Sequence, residues 1–191
     1  MTDIEKSAIL LDLSAQLRAH GSWTGETHIQ KAAYLLQELI GVPSGFKFVL
    51  YKHGPFSFDL RDSLNKLETW ACIQTVEQPF PYGPKIVDGA GAAKLKAVTQ
   101  DGKEFLRQIQ FVAEQLGPAN VSELERVATA LFIVMDANVK PEDRYERLVS
   151  LKPHISREEA PGAFSRLQEI SSAAFDAGFS VRGGHYAAAR G

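Results

Sequence analysis

The sequence contains a single cysteine and no long apolar run. Cys72 lies between Ala71 and Ile73, so it is predicted to be a buried thiol, and one cysteine excludes an internal disulfide. No apolar run approaches the roughly 20 residues that a membrane-spanning helix requires. The N-terminus is charged and amphipathic, unlike a signal peptide. These features predict a cytoplasmic protein that does not enter the membrane.

The sequence also lacks an excess of charge of either sign. It has 21 Lys and Arg residues against 23 Asp and Glu residues, for a formal net charge of -2 over 191 residues. A dedicated nucleic-acid-binding protein normally carries a broad positive surface, so the composition argues against that class and leaves a local basic patch open. Hydrophobic residues make up 45% of the chain, which is enough to fill the core of one large domain.

Catalytic and metal-binding motifs are missing as well. The five histidines form no HExxH motif and no metal-binding pair on one helix face, and a lone cysteine argues against a structural zinc site. Ser57 follows Gly54-Pro55-Phe56, which is not the G-x-S-x-G turn of a hydrolase. The GAGAAK segment at 89–94 lacks the third glycine of a dinucleotide fingerprint and the GK[ST] ending of a P-loop. We therefore predict no cofactor, no metal and no enzymatic activity.

The densest structural signal lies in residues 27–67. Apolar residues at helical spacing predict a helix with one buried stripe, formed by Ile29, Ala32, Ala33, Leu36 and Leu39. Thr27 or Thr24 is expected to cap its start, and Gly41 with Pro43 is expected to end it. Residues 46–51 then predict a strand.

A tight turn and a second helix follow this strand. His53-Gly54-Pro55 is expected to break the strand, and Ser57 is placed to cap the next helix. The buried face of that helix is predicted to consist of Leu60, Leu64 and Leu67.

The flanking segments complete a pattern typical of winged-helix domains. A first helix is predicted over residues 4–18, and a hairpin over 70–76 and 85–87 with a proline-rich tip, because proline cannot join a strand ladder. A third strand is expected at 95–98, and residues 99–102 are expected to open a helix that ends at Gly117-Pro118. The fold class is thus predicted to be α+β and mainly helical, with a winged-helix-like domain that contains a small antiparallel sheet.

The chain after residue 117 is predicted to be helical. Ser122 and Glu125 have the spacing of a capping box, and a short helix is expected near residue 141. A last helix begins either at a Ser156 and Glu159 capping box or at Ala160-Pro161. The predicted organisation is a winged-helix-like domain at 1–117, a helical extension at 118–177 that packs on it or dimerises, and a flexible tail at 178–191.

Two groups of residues are candidates for binding. The helix of residues 27–39 is predicted to expose a polar face that contacts a protein partner or DNA, formed by Gln30, Lys31, Tyr34 and Gln37. Lys52 and His53 at the tight turn are further candidates, because His53 is a titratable group at a strand end. Gly54, Pro55 and Ser57 are expected to serve the structure of the turn.

The sequences HIQKAAYLLQEL and YKHGPFSFDLRDSLNKLE carry a family resemblance. Together they resemble YwgA-like bacterial proteins, which have a KxxYLLQ-type helix followed by a Y-x-x-G-P-[FY]-S turn and a D-L-containing helix. More distantly, they are similar to the Panacea domain of SocA-like antitoxins. The residues that match the shared motif are Lys31, Tyr34, Gly54, Pro55 and Ser57. Lys52-His53 departs from the Panacea pattern, which commonly has an aromatic-containing stretch there.

The resemblance implies a non-enzymatic bacterial or phage-associated protein that neutralises or delivers a partner protein. Our first hypothesis is therefore an interaction or regulatory protein of the antitoxin or phage-defence-accessory kind, with a toxin or defence-system subunit as its partner and a homodimer possible. The alternative is a winged-helix DNA-binding transcriptional regulator. A third hypothesis is an enzyme that uses His53 with Ser57 or Asp59.

Overall fold

The computed structural model describes residues 1–80, 83–99 and 104–182, and they form a mainly helical α+β fold. This confirms the predicted fold class. The described helices are α1 (Asp3–Ala19), α2 (Glu26–Glu38), α3 (Phe58–Thr69), α4 (Ala92–Val98), α5 (Leu106–Leu116), α6 (Val121–Met135), α7 (Arg144–Leu151) and α8 (Ala160–Asp176). The strands are β1 (Val49–Tyr51), β2 (Gly54–Phe56), β3 (Ile73–Val76) and β4 (Lys85–Asp88), and a 3₁₀ turn occupies Pro141–Asp143. The winged-helix arrangement stays a prediction.

The first hairpin corrects the prediction for the tight turn. The strand predicted over 46–51 is limited to β1. The predicted break of the strand does occur, but it lies at Lys52 and His53, because Gly54 and Pro55 begin β2. The strands β1 and β2 pair antiparallel with Tyr51 opposite Gly54, so Lys52 and His53 form the connection. Gly54 has a φ of +85°, a conformation that glycine adopts without steric cost and that closes the turn.

The second hairpin was predicted correctly, but the strand expected after it is a helix. The strands β3 and β4 pair antiparallel from Ile73 opposite Asp88 to Val76 opposite Lys85. The proline-rich connection between them includes residues 81 and 82, which lie outside the described residues. The third strand predicted at 95–98 is wrong, since these residues belong to α4. A short apolar run fits either a strand or one side of a helix, and here the helix forms.

The predicted cap of α3 is confirmed, and the start of α8 combines the two predicted alternatives. Ser57 caps α3 by accepting a hydrogen bond from the Leu60 amide at 3.2 Å. Ser156 and Glu159 exchange two hydrogen bonds as expected, and α8 nevertheless begins at Ala160, so both alternatives describe part of the observed start. The predicted opening at 99–102 falls largely outside the described residues, and α5 begins at Leu106.

Two other predicted caps are wrong. Gly25 occupies the position before α2, while Thr24 is buried with its hydroxyl donated to the Ser22 carbonyl. The side chain of Asn120, rather than Ser122, caps α6 by accepting from the Glu123 amide at 2.9 Å. Glu125 therefore does not belong to a capping box.

The core spans both predicted parts of the chain. Apolar side chains from α1, α2, α3, α5, α6 and α8 form one contiguous cluster. Helix α2 contacts α1 and α5 as well as α6, and α6 also packs against β2. The strand β2 is therefore enclosed by α2 and α6, which places its backbone in the interior. Among the described residues, no helix is long and apolar enough to cross a membrane.

Replacing Gly54 by alanine should destabilise the fold far more than the same change at Gly21. The two glycines have almost equal φ values, +85° and +87°. A Cβ at Gly54 would lie 2.9 Å from Thr129 Oγ1 and 3.5 Å from the Glu125 carbonyl oxygen, whereas one at Gly21 meets no atom within 4 Å. We expect Gly21→Ala to lower the free energy of unfolding by about 1 kcal/mol through backbone strain, and Gly54→Ala by about 2–4 kcal/mol through strain and overpacking. Denaturant unfolding measures both, and equal losses would show that the packing around Gly54 is unimportant.

Candidate functional site

The polar face of α2 that was predicted to be exposed is buried. The residues Gln30, Lys31 and Tyr34 are 0%, 1% and 3% exposed, and Gln37 is half-buried. The prediction of an exposed binding face is therefore wrong. The physical reason is that α2 is covered on more than one side, by α1 and α5 and by α6 and β2. These residues cannot read DNA bases in this fold.

Two glutamines of α2 instead hold backbone segments by reciprocal hydrogen bonds. Gln30 Nε2 donates to the Ser57 carbonyl and Gln30 Oε1 accepts from the Ser57 amide, both at 3.0 Å. About two helical turns further along α2, Gln37 Nε2 donates to the Phe46 carbonyl at 2.9 Å, and Gln37 Oε1 accepts from the Phe46 amide at 2.8 Å. Because buried backbone groups need partners, the two amides replace hydrogen bonds that the short sheet does not supply.

Lys31 binds the turn from the same helix. Its Nζ donates a hydrogen bond of 2.8 Å to the Pro55 carbonyl. Burial lowers the pKa of Lys31 to about 8; the nearby Glu125 carboxylate opposes this shift, and Lys152 adds to it. A buried ammonium of this kind is destabilising unless a countercharge lies near it.

Glu125 supplies that countercharge, and it also forms an ion pair with Lys152. Both side chains are almost fully buried, and Lys152 Nζ lies 2.9 Å from Glu125 Oε1. Among the described residues, Glu125 Oε1 accepts no directed hydrogen bond, so Coulombic attraction holds this pair. The ammonium of Lys152 donates to the Tyr51 carbonyl at 3.0 Å and also to the Lys52 carbonyl. We call Lys31, Glu125 and Lys152 the ionic centre.

Two exposed histidines lie at the rim of the ionic centre. His53 Nδ1 is 3.5 Å from Glu125 Oε2, and His154 Nε2 is 3.5 Å from Glu125 Oε1. Their side chains are 67% and 61% exposed. His53 therefore faces a buried carboxylate, while Ser57 is fully buried and engaged as a helix cap. Within the described residues, no group of three His, Cys, Asp or Glu side chains is arranged to hold a metal ion.

The outer side of the same turn carries three packed aromatic rings, of which Tyr51 and Phe58 are half exposed and Phe56 is buried. The ring centroids of Tyr51, Phe56 and Phe58 lie 5.1–5.9 Å from one another. The Arg61 guanidinium lies 4.5 Å from the Phe56 ring centroid and forms two hydrogen bonds with Glu26. We call Tyr51, Phe56, Phe58 and Arg61 the aromatic patch.

The sequence prediction included the turn but missed most of its partners. Lys52, His53, Gly54, Pro55 and Ser57 do lie together at the hairpin. Glu125 was interpreted as a capping residue, and Lys152 was not predicted as a site residue, because their partners are far away in the chain. The alternating aromatics of the PFSF sequence were the available signal for the aromatic patch.

Neutralising Glu125 should destabilise the protein strongly. In Glu125→Gln the ammonium groups of Lys31 and Lys152 lose their buried countercharge, and we expect a loss of about 3–5 kcal/mol in the free energy of unfolding. Glu123→Gln is the matched control, because Glu123 belongs to the same helix and forms a 3.6 Å ion pair with Arg166 at the surface. The control should lose less than about 1 kcal/mol. Denaturant unfolding of both variants would contradict the assignment of the ionic centre if the losses were similar.

Lys31 should make the protein more stable as the pH rises above about 8. Its pKa is about 8 in the folded protein against 10.5 for an unperturbed lysine. Between these values the unfolded chain binds more protons than the folded chain, so the free energy of unfolding increases with pH, by up to about 3 kcal/mol for this group.

The measurement compares the pH dependence of unfolding in the wild-type protein and in Lys31→Met. The other titrating groups are common to both proteins, so the difference between the two curves isolates Lys31. The wild-type protein should gain stability relative to the variant from about pH 8 to about pH 10. Parallel curves over this range would show that Lys31 has an ordinary pKa.

No protein-family model matches this chain, and no curated protein matches it at a significant level. The resemblance to YwgA-like proteins and to the Panacea domain stays a prediction. The geometry of the turn and its two faces is the basis for the functional proposal below.

Proposed function

We propose that this chain is a non-enzymatic interaction protein that binds a protein partner through the aromatic patch. The observation that carries the proposal is the exposure of packed rings, since Tyr51 and Phe58 are each 52% exposed although they contact each other and Phe56. Tyrosine and arginine are enriched at the energetic centres of protein interfaces, and clustered exposed aromatics are typical of such centres.

The hydrogen bonds that hold the backbone behind the aromatic patch favour this proposal. Lys152 binds the carbonyls of Tyr51 and Lys52, Lys31 binds the carbonyl of Pro55, and Gln30 binds the backbone of Ser57. The backbone that carries the rings is thus fixed before a partner arrives. A preorganised surface loses less conformational entropy on association, so more of the contact energy contributes to affinity.

The family resemblance supplies the kind of partner. YwgA-like proteins and the Panacea domain imply an antitoxin or a phage-defence accessory, so the proposed partner is a toxin or a defence-system subunit and the proposed location is the bacterial cytoplasm. The charge of Arg61 is balanced by Glu26, which leaves an apolar centre on the patch. We expect the complementary surface of the partner to present apolar side chains to these rings.

Tyr51→Ala combined with Phe58→Ala should strongly weaken partner binding without unfolding the protein. Both rings are half exposed, and their loss removes the centre of the proposed interface. We expect affinity to fall by at least about 30-fold, the equivalent of about 2 kcal/mol. Tagged protein is purified from its native host with and without nuclease, the bound proteins are identified by mass spectrometry, and the affinity is then measured with the purified partner.

Phe80→Ala is the matched control, because the Phe80 side chain is 97% exposed and lies outside the patch. A stoichiometric protein that survives nuclease, binds the control and is lost from the double variant would support the proposal. A partner that binds all three proteins equally would place the interface elsewhere. Recovery of DNA alone, lost on nuclease treatment, would favour the alternative of a DNA-binding regulator.

A further inference from the structure

A cleft of about 450 Å³ lies where the loop after α1 meets the corner between α5 and α6. Its walls include Trp23, His28, Lys85, Pro118, Asn120 and Val121. This volume lies within the range of small-molecule sites. The cleft shares no residue with the aromatic patch, so it belongs to a different surface of the molecule.

The polar groups of the cleft favour a negative ligand. Among the described residues that line it, Lys85 carries a positive charge and no carboxylate is present. Asn120 and Val121 form the start of α6, a helix of 15 residues, and the N-terminus of a helix attracts anions through its dipole and its unpaired amides. The Asn120 side chain accepts a hydrogen bond from the Glu123 amide. The Val121 amide has no partner among the described residues.

His28 provides an independent indication of a ligand. It is 4% exposed and lines the cleft, yet its Nδ1 has no hydrogen-bond partner among the described residues. Burial lowers the pKa of His28 below its ordinary value, so the imidazole is neutral at neutral pH. A buried polar atom without a partner is destabilising, and a hydrogen bond from a ligand would offset this.

Gly25 packs closely beside this imidazole. A Cβ at Gly25 would lie 3.9 Å from His28 Nδ1, 3.7 Å from Trp23 Cδ1 and 3.3 Å from the Pro84 carbonyl oxygen. Because residue 25 has no side chain, the indole, the Pro84 carbonyl and the unpartnered nitrogen lie close together. The side chains of Trp23 and Pro118 make the neighbouring walls apolar.

We propose that this cleft binds a small organic anion, which places a carboxylate or phosphate ester at the start of α6 near Lys85 and an apolar body against Trp23 and Pro118. The His28 imidazole hydrogen-bonds to a polar atom of that body. The inference goes beyond the proposed function, because partner binding through the aromatic patch neither requires the cleft nor depends on it.

The test uses the full-length protein and three probes: benzoate, adenosine 5′-monophosphate and inorganic phosphate. Binding is followed by calorimetry and by the imidazole resonances of His28 in ¹H–¹⁵N spectra. Saturable binding of benzoate or of the nucleotide that shifts the His28 resonances supports the proposal, and the preferred probe tells whether the head group is a carboxylate or a phosphate ester. Lys85→Gln should weaken this binding roughly 5- to 10-fold by removing one charge from a partly exposed site.

Lys47→Gln is the control variant, since Lys47 is exposed and does not line the cleft. It should bind the probe as the wild-type protein does. The proposal is overturned if none of the probes binds up to about 10 mM, a concentration above which the interaction is too weak to indicate a site. It is also overturned if Lys85→Gln binds unchanged, or if inorganic phosphate binds as tightly as both organic anions.

Discussion

Coulombic attraction between the Glu125 carboxylate and two buried ammonium groups holds the β1–β2 turn between α2 and α6. The turn needs such groups because a sheet of two short strands leaves backbone carbonyls in the interior without partners. Lysine side chains reach these carbonyls and donate to them, but each brings a charge into a region that solvates charge poorly. Glu125 offsets that charge. The burial of the carboxylate, of the ammonium groups and of the carbonyls is therefore tolerated only because all of them are present together.

The two faces of the turn have opposite chemistry. Its inner face is polar and buried, and its outer face presents the aromatic patch to solvent. The rings alone would not form a defined surface, because a hairpin of two short strands is marginally stable in water. The ionic centre gives the backbone of Tyr51 and Phe56 a fixed position, so the two exposed rings of Tyr51 and Phe58 are held against the buried Phe56 ring. The interaction that we propose at the surface thus depends on polar contacts beneath it.

Local signals predicted the parts of the fold that neighbouring residues determine. Ser57 was identified as a cap because its partner, the Leu60 amide, lies three residues away. The β3–β4 hairpin was identified because two apolar runs flank a segment rich in proline. Gln30 and Lys31 were misplaced, because a polar residue on a helix looks the same whether it faces water or a buried backbone. The role of Glu125 was missed because it depends on Lys31 in α2 and on Lys152 just after α7, and neither is a neighbour of Glu125 in the chain. The 95–98 run was too short to distinguish a strand from a helix.

The spacing of Gln30 and Gln37 along α2 fixes the separation of the two backbone segments that they bind. Seven residues of helix span about 10 Å and return to nearly the same face, so the two amides stand in line at a fixed separation. They bind Ser57 and Phe46, which are the ends of the segment that contains the first hairpin. Helix α2 therefore fixes the distance between the two ends of this segment. Release of one amide frees one end of the segment and leaves the other end bound to α2, so we expect the segment to separate from the helix only when both amides are released.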